Sequence, residues 1–318
     1  MRPVLTKTTE VKRLVLLKGL IHGEHFGRAA GFILFVLALV LIFLRPLLDL
    51  MVYAAKSELY SFIFLVPFIS LYLASLRMRE VSMNLGSSPI LGLVPLSIGI
   101  LIISGYYTMA RHGGRVNHND YLSLTIYTFV AFLTCGCFLF LGRKAVAVVA
   151  FPVAFLFLMA PLPSFLTAFA SDCLQHASAA VAYLLLLLLG TPVLKDGQVF
   201  QLPGITIEVA PQCSGIHSSL VLFIISLVAG QLFLRGKWNK ATLALAVILI
   251  GVLRNGVRIV TISLLCIYVD PRMINSPIHH HGGPLFLGLS LAPLFLLLLW
   301  LRRSERSNEN QDLVNAEM

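Results

Sequence analysis

Nine long apolar stretches constrain the fold of this chain more than any other feature of its sequence. A helix of about 20 apolar residues spans the hydrocarbon core of a bilayer, and most of these stretches approach that length. We therefore predict an all-α polytopic membrane protein with about eight transmembrane helices. The stretches cover residues 29–48, 59–76, 89–109, 121–141, 145–160, 164–189, 216–234, 241–269 and 284–301.

The composition supports a lipid environment. Of the 318 residues, 58% are hydrophobic and only 12% are charged, whereas about 25% of residues are charged in soluble domains. We expect a basic cytoplasmic segment at 1–28 and a membrane-embedded domain at 29–301. The tail at 302–318 is polar, and its composition predicts a disordered cytoplasmic segment.

The basic residues concentrate in short clusters between the apolar stretches, although the net charge is +10. Such clusters are typical of cytoplasmic loops. No nucleic-acid partner is expected, because no basic face with interleaved aromatic residues is present. We place the N-terminus, the C-terminus and the clusters near 77–79, 143–144 and 235–240 on the cytoplasmic side of a plasma or inner membrane.

An inside start and an inside end require an even number of crossings, so one of the nine stretches does not cross. The exception is expected within residues 145–189. The stretch at 145–160 is short and stops at Pro161-Leu162-Pro163, which suits a re-entrant or interfacial helix, with 164–189 making the crossing.

Residues 197–209 differ from the rest of the chain. They alternate in polarity, contain β-branched residues and turn at Pro203-Gly204, a pattern that predicts a β-hairpin. Strand backbone is not tolerated facing lipid. The hairpin must therefore lie outside the hydrocarbon, or be sheltered by helices, shortly before the next membrane helix.

Cys213 lies where the hairpin leads into that helix. The free N–H groups and the partial positive charge of a helix N-terminus stabilise a thiolate. Ser214 and Gly215 suit a helix cap and a close approach of backbone. His217 lies one turn further on the same face, where it would modulate the thiol or pack against another helix. A buried structural cysteine is the competing interpretation of Cys213.

Arg254 and Arg258 lie four residues apart inside an apolar stretch and share one helix face. An arginine at mid-bilayer costs about 2.5–3.5 kcal/mol and is by default a functional hypothesis. The alternatives are snorkelling to headgroups and a contact between helices. Asn255 would hold a partner backbone or bond a neighbouring helix. At about 1.5 Å per residue, this helix regains the level of Cys213 near Arg258.

A histidine run at 279–281 precedes the last membrane helix, on the predicted outer side. Histidine is the usual base beside a nucleophilic cysteine. Asp270 would orient a histidine or serve as an interfacial charge. A solvated histidine run and a metal site are the alternatives, although we expect neither a metal nor a cofactor. A metal site would draw its ligands from Cys213, His217, His279 and His281.

Three motifs in this order resemble the exosortase/archaeosortase family. They are Cys213-Ser214-Gly215-Ile216, Asn255-Gly256-Val257-Arg258, and a histidine followed by Gly283-Pro284-Leu285-Phe286. The hairpin and the Pro161-Leu162-Pro163 break are also similar to that family. The resemblance covers roughly residues 140–300, the expected catalytic core.

The resemblance implies an integral membrane cysteine transpeptidase with its active site on the extracytoplasmic side. Its substrates would be exported proteins whose C-terminal sorting signal comprises a short motif, a membrane helix and a basic tail. Cys213 would form the acyl-thioester, and Arg258 would protonate the leaving group or stabilise developing charge. His279 would fill the third position, with His281 as runner-up. Accessory candidates are Ser214, His217, Arg254 and Asn255.

A lipid or glycan precursor that offers an amine or hydroxyl as acceptor would make the protein a transpeptidase, and water in that role would make it a protease. The competing function is a multi-helix transporter that uses Arg254 and Arg258 as a substrate site. Transporters of that kind are built from paired repeats with interrupted helices, and the sequence does not show such pairing.

Overall fold

The computed structural model of the chain describes residues 23–78, 86–112, 116–209, 214–275 and 283–317. For residues 23–26, 274–275, 283–284 and 308–317 it describes the backbone alone. The chain forms two compact units, residues 1–164 and residues 165–318.

The described residues confirm a helical, polytopic membrane protein. Seven helical stretches are long and apolar enough to cross a membrane, or eight if the pair Gly27–Ile42 and Leu44–Lys56, bent by 67°, forms one span. This agrees with the predicted number of about eight.

The first unit is built almost entirely from helices that follow one another with short breaks. They are α1 (Gly23–Ile42), α2 (Leu44–Lys56), a 3-10 helix (Glu58–Leu65), α3 (Val66–Met78), α4 (Pro89–Arg111), α5 (His118–Gly136) with a π-helical turn (Cys137–Leu141), and α6 (Gly142–Phe155) with a 3-10 turn (Leu156–Met159).

The stretch from α5 to the end of α6 is a helical hairpin. Gly142 has φ +79° and ψ 171°, a backbone conformation that ends the helix there. The Ser123 hydroxyl donates to the Pro161 carbonyl at 2.7 Å, so the end of α6 returns to the start of α5. The 18 residues from 142 to 159 span about 27 Å as helix. This favours a returning arm of full length over the short re-entrant helix that the sequence suggests.

The break at Pro161-Leu162-Pro163 is stabilised by polar side chains. Prolines donate no N–H, and buried carbonyls need donors. The Asn119 amide donates to the Leu162 carbonyl at 2.7 Å, and the Tyr60 hydroxyl donates to it at 3.3 Å. The Ser164 N–H donates to Asp120 Oδ1 at 2.6 Å, which caps the next helix.

The second unit combines helices with one small sheet. After α7 (Ser164–Leu188), which begins at the unit boundary, the elements are β1 (Leu194–Asp196), β2 (Val199–Leu202), β3 (Ile205–Glu208), α8 (Ile216–Phe233), α9 (Lys237–Tyr268), a 3-10 helix (Pro271–Asn275) and α10 (Gly283–Glu317).

The predicted hairpin is confirmed, with one additional strand. β2 and β3 pair antiparallel, and Gly204 has φ +81°, as the second central position of a type II turn requires. β1 pairs with the other edge of β2, and its three residues are too short to be recognised from a pattern. The inner face of the sheet packs in one apolar cluster with α7 and the C-terminal half of α9, through Phe200, Leu202, Ile207, Ala179, Ala182, Leu186, Ile259, Val260, Ile262 and Cys266.

The polar tail was predicted to be disordered, and this is wrong for the backbone described here. α10 continues to Glu317, in a segment that contains the good helix formers Glu, Arg and Gln. Glu305 anchors the helix at its polar end. Its carboxylate accepts hydrogen bonds from the N–H groups of Arg235 at 2.9 Å and Gly236 at 2.8 Å, at the start of α9.

Candidate active site

The chain enters α8 through Ser214 and Gly215. Ser214 is buried, and Gly215 adopts φ +73° and ψ 15°, a left-handed conformation that favours glycine. A Cβ added at Gly215 would lie 2.8 Å from Arg254 Nη2 and 2.9 Å from Asn255 Oδ1. Both the backbone conformation and the close packing therefore favour glycine in this motif.

Arg254 connects the second motif to the first. Its Nη2 donates to the Gly215 carbonyl at 3.2 Å and lies 3.5 Å from Ser219 Oγ. The side chain is only 6% exposed, so it does not snorkel to headgroups. Its Nη1 has no hydrogen-bond partner among the residues that the structure describes. A buried guanidinium therefore lies directly beside Gly215 of the cysteine motif.

Asn255 and Arg258 lie on the same stretch of α9. Asn255 is 1% exposed, and its Oδ1 faces Gly215 closely. Arg258 lies one turn further along and is half-buried. The two motifs thus meet where Arg254 and Asn255 contact Gly215. That Arg258 lies level with Cys213 stays a prediction, because Cys213 is outside the described residues.

Two glycines of α9 permit close helix packing around this site. A Cβ at Gly251 would lie 2.7 Å from Ser219 Oγ on α8, and one at Gly256 would lie 2.5 Å from Val181 Cγ1 on α7. Small residues allow membrane helices to approach closely. Sequence reasoning missed Ser219 and Gly251, although a small residue facing a small residue across two apolar helices is the signal that could have revealed them.

Of the other candidate residues, two lie in the described part of the chain and three lie outside it. His217 is half-buried in the first turn of α8. The Asp270 carboxylate accepts from the Arg272 N–H at 2.7 Å and so caps the 3-10 helix after α9. Cys213, His279 and His281 lie outside the described residues. Among the residues that are described, no group of three or more His, Cys, Asp and Glu residues could hold a metal ion.

We expect Arg254→Met to leave the thermal stability of the protein unchanged or to raise it. The substitution removes two long hydrogen bonds, while the Gly215 carbonyl still accepts from the Ser219 N–H at 3.0 Å. It also removes the desolvation cost of a buried cation, which is several kcal/mol for an ion. Thermal unfolding in detergent, with the exposed Arg303→Met as control, measures this; a markedly lower melting temperature for Arg254→Met would mean that Arg254 is mainly structural.

The chain matches a known protein family over most of its length. The family model described as transmembrane exosortase matches residues 54–296. No individual curated protein and no solved structure matches the chain significantly. The matched region is most of the chain, and it contains the sheet, the helix start at Gly215 and the Arg254–Arg258 segment. The chain belongs to the transmembrane exosortase family.

Proposed function

We propose that this protein is a cysteine transpeptidase that cleaves the C-terminal sorting signals of exported proteins. The observation that carries the proposal is the contact between Arg254 and the Gly215 carbonyl. This contact brings a buried cation to the start of the helix that follows Cys213. A transport site would present its arginine to a passing solute, whereas this guanidinium is engaged by a backbone carbonyl of the cysteine motif.

In the proposed reaction, the Cys213 thiolate attacks a peptide carbonyl just outside the membrane helix of the substrate. A tetrahedral oxyanion forms, and cationic or N–H donors at a helix start stabilise such an ion. The C–N bond then breaks, the acyl group stays on sulfur as a thioester, and the C-terminal segment leaves as an amine after receiving a proton.

We assign the proton transfers and the stabilisation of the developing charge to residues of the other two motifs. Arg258 stabilises the developing charge or supplies the proton to the leaving amine, and His279 serves as the base, with His281 as the alternative. Arg254 positions Gly215, and its guanidinium adds positive charge beside the reacting centre. Ser214, Asn255 and His217 remain accessory candidates.

A second nucleophile completes the cycle. An amine or hydroxyl of a lipid or glycan precursor attacks the thioester, forms an amide or ester with the substrate, and regenerates the thiolate. Water in the same role would release a free carboxylate and make the protein a protease. Exclusion of water from a sheltered site protects the thioester until the acceptor arrives.

The test is to co-express the protein with a tagged exported protein that carries a candidate sorting signal. We expect wild type to shorten the substrate and to form a covalent adduct that hydroxylamine releases, as it does a thioester. The mass of the new C-terminus then distinguishes transfer from hydrolysis. Processing with no hydroxylamine-sensitive adduct, at any substrate level, would contradict the mechanism.

The proposed reaction needs the site on the extracytoplasmic side, and the helices accommodate this if α7 does not cross the membrane. The bent α1–α2 pair makes one crossing and the α5–α6 hairpin makes two. Together with α3, α4, α8, α9 and α10, these helices make eight crossings without α7. An even number keeps both ends and all the basic clusters inside. We therefore propose that α7, and not the stretch at 145–160, is the helix that stays outside.

The side chains of α7 support this placement. Asp172 and His176 are 63% and 59% exposed and lie 3.3 Å apart, in the middle of the helix. A lipid-facing carboxylate at mid-bilayer costs about 2.5–3.5 kcal/mol. Moreover, Gln198 in the turn before β2 bonds to His176 at 3.2 Å, so this polar face lies beside a sheet that must avoid lipid.

Cys173 gives a direct test of that placement, because its side chain is exposed next to Asp172. In a Cys213→Ala background, we expect a membrane-impermeant maleimide to label Cys173 in right-side-out vesicles. The matched control is the same background with Cys173→Ser. Labelling of Cys173 in inside-out vesicles alone, or only after detergent is added, would contradict an outer position for α7.

A further inference from the structure

A buried glutamine on α7 holds the point where the chain leaves the sheet. Gln175 is 5% exposed, and its Nε2 donates a hydrogen bond to the Val209 carbonyl. Val209 follows β3 directly and is itself 2% exposed. Its N–H donates to the Gln198 carbonyl at 3.0 Å. Both backbone polar groups of Val209 are therefore fixed, one by the sheet and one by α7.

The bond from Gln175 supplies a donor that the sheet does not. In an antiparallel ladder the N–H and the C=O of one residue face the same neighbouring strand. The Val209 N–H bonds to Gln198, but among the described backbone hydrogen bonds none runs back from the Gln198 N–H to the Val209 carbonyl. A buried amide or carbonyl without a partner costs about 1–3 kcal/mol in proteins. The same buried side of α7 continues with the small residues Ser178, Ala179 and Ala182. Gln175 differs from them because its amide is long enough to reach the Val209 carbonyl.

The segment that carries Cys213 is thus held at two described points. At its start, Gln175 holds the carbonyl of Val209, four residues before Cys213. At its end, Arg254 holds the carbonyl of Gly215 at 3.2 Å, two residues after Cys213. The two side chains that hold these flanking residues come from different helices, α7 and α9.

We propose that Gln175 is a positioning residue for the nucleophile: by holding the Val209 carbonyl it sets where the Cys213 segment begins. This inference rests on the proposed function. A displacement of about 1 Å at a reacting group can cost about 10²-fold in rate. We therefore expect the isosteric Gln175→Met to lower kcat of substrate processing by about 10- to 100-fold, with little change in KM.

The control is Gln198→Ala. Gln198 contacts Val209 through its backbone carbonyl, and its side chain bonds only to His176 among the described contacts. The substitution therefore changes a neighbouring glutamine but leaves both anchors of Val209 in place. We expect its processing rate to be close to that of wild type.

Amide hydrogen exchange provides a readout that does not depend on activity. If Gln175 holds Val209, Gln175→Met raises exchange in a peptide that spans residues 205–215, while a peptide within α9, such as 241–251, exchanges as in wild type. Gln198→Ala should raise neither. Faster exchange in both peptides would mean that Gln175 is a general core contact, which overturns the proposal.

Two further results would also overturn it. One is unchanged processing and unchanged exchange in Gln175→Met; the other is local loosening of residues 205–215 with processing at the wild-type rate. Failure of the proposed function looks different, because Cys213→Ala would then process substrate normally. In that case the exchange experiment still decides whether Gln175 holds Val209.

Discussion

Cys213→Ala is expected to abolish processing of the sorting signal, with a loss of at least about 10³-fold, because the variant has no atom that can form the acyl intermediate. The variant should still reach the membrane and unfold at the wild-type temperature, since a single sulfur is removed. Substrate size on a gel and the hydroxylamine-sensitive adduct are the measurements. We expect both the shortened product and the adduct to disappear together.

Cys173→Ala is the matched control for that experiment. It removes a thiol that is exposed on α7 and plays no part in the proposed chemistry, so processing should persist. If Cys213→Ala instead processes substrate as well as wild type, Cys213 is structural. The buried arginines would then have to be tested as a transport site, by solute uptake with Arg254→Met and Arg258→Met.

Gly215→Ala is expected to have the second-largest effect. A left-handed alanine costs about 1–2 kcal/mol in backbone strain. In addition, its Cβ would approach Arg254 Nη2 to 2.8 Å and Asn255 Oδ1 to 2.9 Å, so at least one of these side chains must move. Since displacements of about 1 Å cost about 10²-fold, we expect processing to fall by about that factor.

Gly204→Ala distinguishes the effect of backbone strain from the effect of displacing Arg254 or Asn255. Gly204 has a similar φ of +81°, but an added Cβ would have nothing within 4 Å. It should therefore show a comparable loss of thermal stability while processing continues near the wild-type rate. Equal losses of processing in both variants would show that backbone strain alone accounts for the effect, and that the packing of Arg254 and Asn255 against Gly215 is unimportant.

The helices were predictable because lipid imposes a simple requirement on each of them separately. A spanning segment must be long, apolar and internally hydrogen-bonded, and the described helices of the membrane region follow the apolar stretches closely. The hairpin at β2–β3 was predictable for a similar local reason, since its alternation and its Pro203-Gly204 turn lie within a few residues of each other. The prediction of a disordered tail was wrong because composition alone contains no information on the contact that Glu305 makes with the start of α9.

The paths of the segments between 142 and 188 could not be read from local pattern. Length and hydropathy favour α7, with 25 residues, as the crossing helix and the shorter returning arm of the α5–α6 hairpin as the exception, which is the reverse of our proposal. The difference lies in contacts far apart in sequence, such as Ser123 with Pro161 and His176 with Gln198. These contacts indicate which segment runs back along a neighbour and which presents polar groups beside the sheet.

Local patterns in the amino-acid sequence predict a helical membrane protein, a hairpin before the Cys213 motif, and two arginines on one face of a later helix. These predictions depend on hydropathy, periodicity and short motifs, all of which are local. The bond from Arg254 to the Gly215 carbonyl and the bond from Gln175 to the Val209 carbonyl are visible only in the folded structure. Each of these bonds joins residues more than thirty positions apart, and the close packing of glycines and small side chains between helices, rather than any local pattern, brings such residues together.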